Sequence, residues 1–195
     1  MPVPPFVTTD LARLGIEPTG DDLVRLSRYL DLLLDANTRF NLTSIRDRDT
    51  AWRRHIIDSL TLLPMLADLG KCRAIDVGSG GGLPGVPLAI TLPDVAMTYL
   101  ESTGKKANFL RECVKELSLD DATVLQGRAE DIGTDAAHRE RYDAAICRAL
   151  GPMNVLLEFT LPFVKVGGWL FAMKGPSVEA ELKDAGDALS TLGAG

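Results

Sequence analysis

The chain has 195 residues, enough for one full domain with a small appendage and a substantial buried core. Its 46% hydrophobic and 25% charged make-up is that of a soluble globular protein, and no apolar run reaches the about 20 residues of a bilayer span. A net charge of −6 excludes a general polycation, so a nucleic-acid partner would have to be met by a local basic patch.

In chain order, the opening Met1-Pro2-Val3-Pro4-Pro5 lacks the basic and apolar regions of a signal peptide. Residues 21–40 place Leu23, Leu26, Leu30, Leu33 and Leu34 at helical spacing, with Asp21 and Asp22 at the end that favours acids. A second helical stretch covers residues 50–69, with Pro64 expected to kink or end part of it. Residues 1–70 therefore read as a helical appendage. From Cys72 onward, strand-like runs at 73–77, 95–100, 123–126, 143–147 and 169–173 alternate with helical stretches at 85–91, 105–117, 152–164 and 177–192. Apolar strands separated by amphipathic helices predict an α/β fold, a mostly parallel sheet covered on both faces, over residues 71–195. Ligands of such sheets sit beyond the carboxyl ends of the strands. Asp76, Glu101, the 126–130 turn and Arg148 fall along that rim.

The segment Asp76-Val77-Gly78-Ser79-Gly80-Gly81-Gly82-Leu83-Pro84-Gly85 carries the strongest signal. A strand ends on an acid, and a glycine-dense turn lets backbone pass close against a ligand. Gly80 to Gly85 also satisfies the G-x-G-x-x-G dinucleotide pattern, and Glu101, ending the next strand, suits the ribose hydroxyls of either cofactor class. Asp76 discriminates. A carboxylate beside the loop repels a pyrophosphate and attracts an ammonium or sulfonium, which favours S-adenosylmethionine (SAM), as in class I methyltransferases.

Other residues are less specific. Gly127-Arg128-Ala129-Glu130-Asp131 is a charged turn that would cover an adenine. Cys147 reads as a small residue buried at a strand end rather than a thiolate nucleophile. Arg148 can contact a carboxylate, a phosphate or a guanine edge. Lys105 and Lys106 stand at a helix start, where the dipole disfavours cations, and so either contact a phosphate or are offset by Glu101 and solvent. Arg46, Arg48, Arg53, Arg54 and His55 form the most basic stretch, as either a solvated helix face or a nucleic-acid contact. Cys72, Cys113 and Cys147 are odd in number and unclustered, against a disulfide framework or a zinc site. No triad, metal cluster or paired carboxylates stand out. Transfer to an atom with a free lone pair, such as guanine N7, needs none.

Taken together, Phe40-Asn41-Leu42-Thr43-Ser44-Ile45, Arg54-His55-Ile56-Ile57-Asp58-Ser59-Leu60, the 76–87 loop, Glu101-Ser102 with Lys105-Lys106, Phe109-Leu110, Arg148-Ala149 and Met173-Lys174-Gly175 resemble the RsmG/GidB family. The resemblance spans about residues 22–176. It implies a class I SAM-dependent, Rossmann-like fold and transfer of a methyl group to guanine N7 in the 530 loop of 16S ribosomal RNA. S-adenosylhomocysteine is then the product, with no metal. SAM contacts are implied at Asp76 (methionine amine), Gly78, Gly80, Leu83, Glu101 (ribose), Ala129, Glu130 and Arg148, with Arg148 also at the transfer chemistry. RNA contacts are implied at Arg54, His55, Lys105, Lys106 and Lys174. The expected partner is 16S rRNA or the 30S subunit, and the expected setting is a cytoplasmic monomer with no membrane attachment. Family members continue into a final strand pair, whereas this chain stops at Gly195. Two alternatives stay open: a small-molecule methyltransferase with the front helices as a lid, supported by the acidic charge, and a non-catalytic SAM- or nucleotide-binding module.

Overall fold

A computed structural model describes residues 2–194. The front section starts with α1 (Pro5–Arg13), whose first turn holds a proline where no amide hydrogen is needed. In α2 (Gly20–Arg39), a capping box sets the start: the Thr19 hydroxyl accepts the Asp22 N–H at 3.1 Å and the Asp22 carboxylate accepts the Thr19 N–H at 2.9 Å. The stripe Leu26, Tyr29, Leu30, Leu33 and Ala36 is buried. The expected helix over 50–69 is divided into α3 (Arg48–Ala51), a π-helical stretch (Trp52–Ile57), α4 (Asp58–Leu60) and α5 (Leu63–Ala67). Pro64 lies in the first turn of α5, so it opens a helix where the preceding one ends.

The remainder alternates β1 (Cys72–Val77), α6 (Gly85–Thr91), β2 (Val95–Glu101), α7 (Gly104–Glu116), β3 (Thr123–Gln126), α8 (Ala129–Ile132), β4 (Tyr142–Arg148), α9 (Met153–Thr160), β5 (Val164–Met173), α10 (Val178–Asp184) and α11 (Gly186–Leu192). The five strands form one sheet in the order β3-β2-β1-β4-β5, and every pairing is parallel. The order reverses between β1 and β4, which opens a crevice at their carboxyl ends.

Two expectations shift in detail. The helix expected to reach residue 164 ends at Thr160, and a 3-10 turn (Leu161–Phe163) containing Pro162 feeds β5 five residues early. A bulge in β5 absorbs the surplus: Tyr142 pairs with Val164 but Ala144 with Trp169, and Gly167 takes a left-handed φ of 80° there. The last helical stretch breaks at Ala185–Gly186 into α10 and α11.

The front helices share a single apolar cluster with one face of the sheet. Tyr29, Leu33, Trp52 and Ile56 pack in the same core as Val86, Tyr99, Phe109 and Leu110. The other face buries Ile75, Val77, Leu100, Ala145 and Phe163 under α8 and α9. Cys147 packs with Met153, Leu156 and Leu157. Burial pushes its thiol up to about 12, so it stays protonated and is no nucleophile.

Candidate functional site

The glycine loop leaves β1 and turns at once across β2. Gly78 and Ser79 donate their amides to the Leu100 carbonyl at 2.9 and 3.1 Å. Gly78 has φ 72°, a conformation that favours glycine, and a β-carbon there would lie 2.5 Å from the end of the Leu150 side chain, which would have to move aside. The Gly80 amide reaches one oxygen of Glu101 at 2.9 Å, and the Thr103 amide donates to the other at 2.7 Å. Glu101 thus ties the loop to the end of β2 and keeps free lone pairs for further donors such as hydroxyls. Leu83 is buried, ahead of a cis Leu83–Pro84 bond.

Asp76 sits deeper than its place in the sequence suggests. It is completely buried behind the loop, with Oδ2 accepting the Gly85 amide at 3.1 Å and Oδ1 buried without a partner. Burial pushes its carboxyl up to about 7, against the pull of the Gly85 amide and the Arg148 guanidinium. An orphaned carboxylate oxygen below a glycine loop is a place for a cationic donor. That fits the ammonium and sulfonium of SAM and opposes a pyrophosphate.

Beside the loop, a cavity of about 120 Å³ is lined by Gly78, Leu100, Ala129, Glu130, Leu150 and Phe159. Apolar walls with a polar edge suit a flat heterocycle. Ala129 begins α8 and is half-buried. Glu130 is exposed and paired with Arg128 at 2.8 Å, a contact that holds its carboxyl below the usual range.

Arg148, at the end of β4, turns toward the front helices. Its Nη1 donates to the Arg54 carbonyl and to Asp58 Oδ2, both at 3.2 Å, with the side chain 19% exposed. His55 is buried, and its Nε2 lies 2.8 Å from the Thr43 hydroxyl. Burial, reinforced by Arg148, lowers its pKa, so the ring is neutral near pH 7. Arg54 is exposed beside it. The start of α7 carries Lys105, exposed, and Lys106, half-buried, and neither is ion-paired among the described residues. Lys174 is engaged: its ammonium bonds the Gly151 carbonyl at 2.8 Å and pairs with Glu181, with 12% of the side chain exposed.

The structure therefore brings Asp76, Gly78, Gly80, Leu83, Glu101, Ala129, Glu130 and Arg148 to one rim. It draws His55 and Arg54 to that rim through Arg148, and sets Lys174 within an internal ion pair. Sequence reasoning missed Tyr29, whose hydroxyl donates to the Gly81 carbonyl at 2.6 Å, and Leu42, which with Leu33 walls Gly81. Helical periodicity buries Tyr29 but does not say what it faces.

Comparison with known proteins bears on the family and the fold. The profile of the GidB family, described as rRNA small subunit methyltransferase G, matches residues 22–194. A ribosomal RNA small subunit methyltransferase G from Moorella thermoacetica is 45% identical over 181 residues, covering 93% of this chain and 75% of that protein. One from Leuconostoc citreum is 43% identical over 195 residues, covering 99% and 81%. Among solved structures, an O-methyltransferase from Bacillus cereus in complex with SAH aligns with TM-score 0.59 at 18% identity, over 84% of this chain and 79% of that one. A putative O-methyltransferase from Klebsiella pneumoniae aligns with TM-score 0.57 at 20% identity, over 86% and 78%. At such identities the likeness concerns the fold, that of the class I SAM-dependent methyltransferases. With 45% identity to a relative of which it covers three quarters, and a family profile across most of its length, this chain belongs to the GidB family of rRNA small subunit methyltransferases.

Proposed function

We propose that the protein methylates N7 of a guanine in the 530 loop of 16S ribosomal RNA, acting as a cytoplasmic monomer on the 30S subunit or its RNA. The observation that carries the reading is the glycine loop with its orphaned Asp76 Oδ1 and its Glu101 tie, in a chain of this family. When bound, SAM supplies an electrophilic methyl group on a sulfonium sulfur. Asp76 would hold the donor's ammonium, Glu101 its ribose hydroxyls, and the Ala129–Glu130 cavity its adenine. Guanine N7 carries a lone pair and no proton, so no base has to act before transfer. That matches a rim whose histidine is neutral, buried and already bonded to Thr43. Arg148, fixed by Arg54 and Asp58, would orient the acceptor base or its phosphate, and the front helices would exclude water.

The test is transfer of labelled methyl from SAM to 30S subunits lacking the modification, followed by nucleoside analysis. Labelled 7-methylguanosine is expected. Another methylated nucleoside overturns the acceptor assignment, and binding of S-adenosylhomocysteine without any transfer overturns the substrate.

A further inference from the structure

A second concavity lies next to the site, at the end of α2, and none of the roles assigned so far uses it. Its volume is about 460 Å³, against about 120 Å³ for the cavity beside Ala129, and its lining includes Asn37, Arg39, Phe40, Asn41 and Arg46 but no acidic residue. Phe40 leaves the helix in extended conformation. The Asn37 carboxamide oxygen then accepts the amides of Leu42 and Thr43 at 2.8 and 3.0 Å, which folds the chain back and fixes the lip of the hollow. The same lip touches the catalytic rim on two sides. Leu42 walls Gly81, and Thr43 bonds His55, whose neighbour Arg54 holds Arg148.

We infer that this hollow binds one nucleotide of single-stranded RNA next to the methyl acceptor, an inference that rests on the proposed function. Three features match that ligand. Phe40, half-buried and packed against the core, lines the hollow, and an aromatic side chain there suits stacking with a base. The final carbonyls of a helix lack intrahelical partners and accept the amino groups of a base edge, while disfavouring a phosphate there. Arg39 and Arg46 supply the positive charge for the phosphate. Arg39 also pairs with Asp35 at 3.1 Å, but both side chains are more than half exposed (58% and 75%), and such a pair yields readily to a phosphate. The chain's net charge of −6 makes this acid-free lining a selective feature rather than part of a general basic surface.

The experiment measures binding of a 530-loop RNA hairpin across a salt series, with S-adenosylhomocysteine affinity by calorimetry, for the full chain and for Arg39→Ala/Arg46→Ala. Lys115→Ala, an exposed cation at the far end of α7, serves as the control for lost charge. The double variant is expected to bind the hairpin about 10-fold more weakly, with the salt slope reduced by roughly 0.7, the contribution of one phosphate contact on a single strand. Its S-adenosylhomocysteine affinity and melting temperature should stay unchanged, and Arg46→Lys should restore part of the affinity lost at that position. Hairpin affinity within twofold of the parent with an unchanged slope, or an equal loss in Lys115→Ala, overturns the nucleotide pocket while leaving the methyltransferase reading intact. A parent protein that binds S-adenosylhomocysteine but neither binds nor methylates RNA overturns both.

Discussion

The loop after β1 and the turn after β3 border the same cavity, yet they are held in opposite ways. The loop is bonded to two elements through three groups: the Leu100 carbonyl and the Glu101 carboxylate of β2 and, from α2, the Tyr29 hydroxyl. Gly81 to Gly85 are buried throughout. The turn exposes Arg128, Glu130 and Asp131, with an ion pair between the first two, and only Ala129 and Ile132 reach the core. One wall is buried backbone, and the other meets the ligand with exposed charged side chains. Preorganised contacts retain more of their energy on binding, so the loop should dominate donor affinity and the turn should adjust it.

The sharpest way to break this contrast is Gly85→Ala. A β-carbon there would sit 2.6 Å from Asp76 Oδ2 and 2.8 Å from the Tyr99 ring, both buried. Overpacking should cost about 1–3 kcal/mol, or roughly 4–8 °C of melting temperature for about 2 kcal/mol, with S-adenosylhomocysteine binding reduced at least 10-fold. Thermal melts and calorimetry check both.

The next effect is one of pH. With its carboxyl pushed up to about 7, Asp76 holds a proton in the folded chain that the unfolded chain releases near 3.8. Between those values the folded state binds more protons, so its contribution to stability falls as pH rises and levels off above about 7. The ammonium group of the ligand prefers the ionised carboxylate, so S-adenosylhomocysteine affinity should rise from pH 6 to pH 8. Asp76→Asn should flatten both trends, and a slope that survives in the variant would assign the titration elsewhere.

Tyr29→Phe asks how far the front helices support the loop. The ring stays packed while the Gly81 carbonyl loses its donor, so stability should drop by about 1–2 kcal/mol and KM for SAM should rise several-fold with kcat little changed. A fall in melting temperature with unaltered KM would make Tyr29 a packing residue only. The mildest change is expected of Glu130→Ala, in the exposed turn, with donor affinity altered threefold or less.

Much of this was legible in the sequence because it rests on local pattern. The five strands and the glycine turn follow from apolar runs and backbone freedom, and helix 85–91 needs only its neighbours. What could not be read depends on contacts across long stretches of chain. Arg148 bonds Arg54 and Asp58, about 90 residues away, and no spacing rule reports that. The depth of Asp76 is set by where Gly85 begins its helix, and the engagement of Lys174 by Glu181 on α10. The early start of β5 needed a bulge that only the partner strand reveals.

The π-helical stretch Trp52–Ile57 carries a consequence for how such a sequence can change. Its wide turn buries His55, Ile56 and Ile57 in succession while Arg53, Arg54 and Asp58 stay exposed. A one-residue deletion there would tighten the coil toward ordinary α geometry, and the tighter winding would absorb the lost residue and leave the turns that follow near their present phase. Asp58 would stay near Arg148, and Ser59 and Leu60 would stay in the core. These six positions therefore hold slack for one residue, whereas α2 has none and a deletion inside it would turn its buried stripe by about 100°. In lineages derived from this chain, single-residue gaps should be accepted in this stretch and be absent from α2.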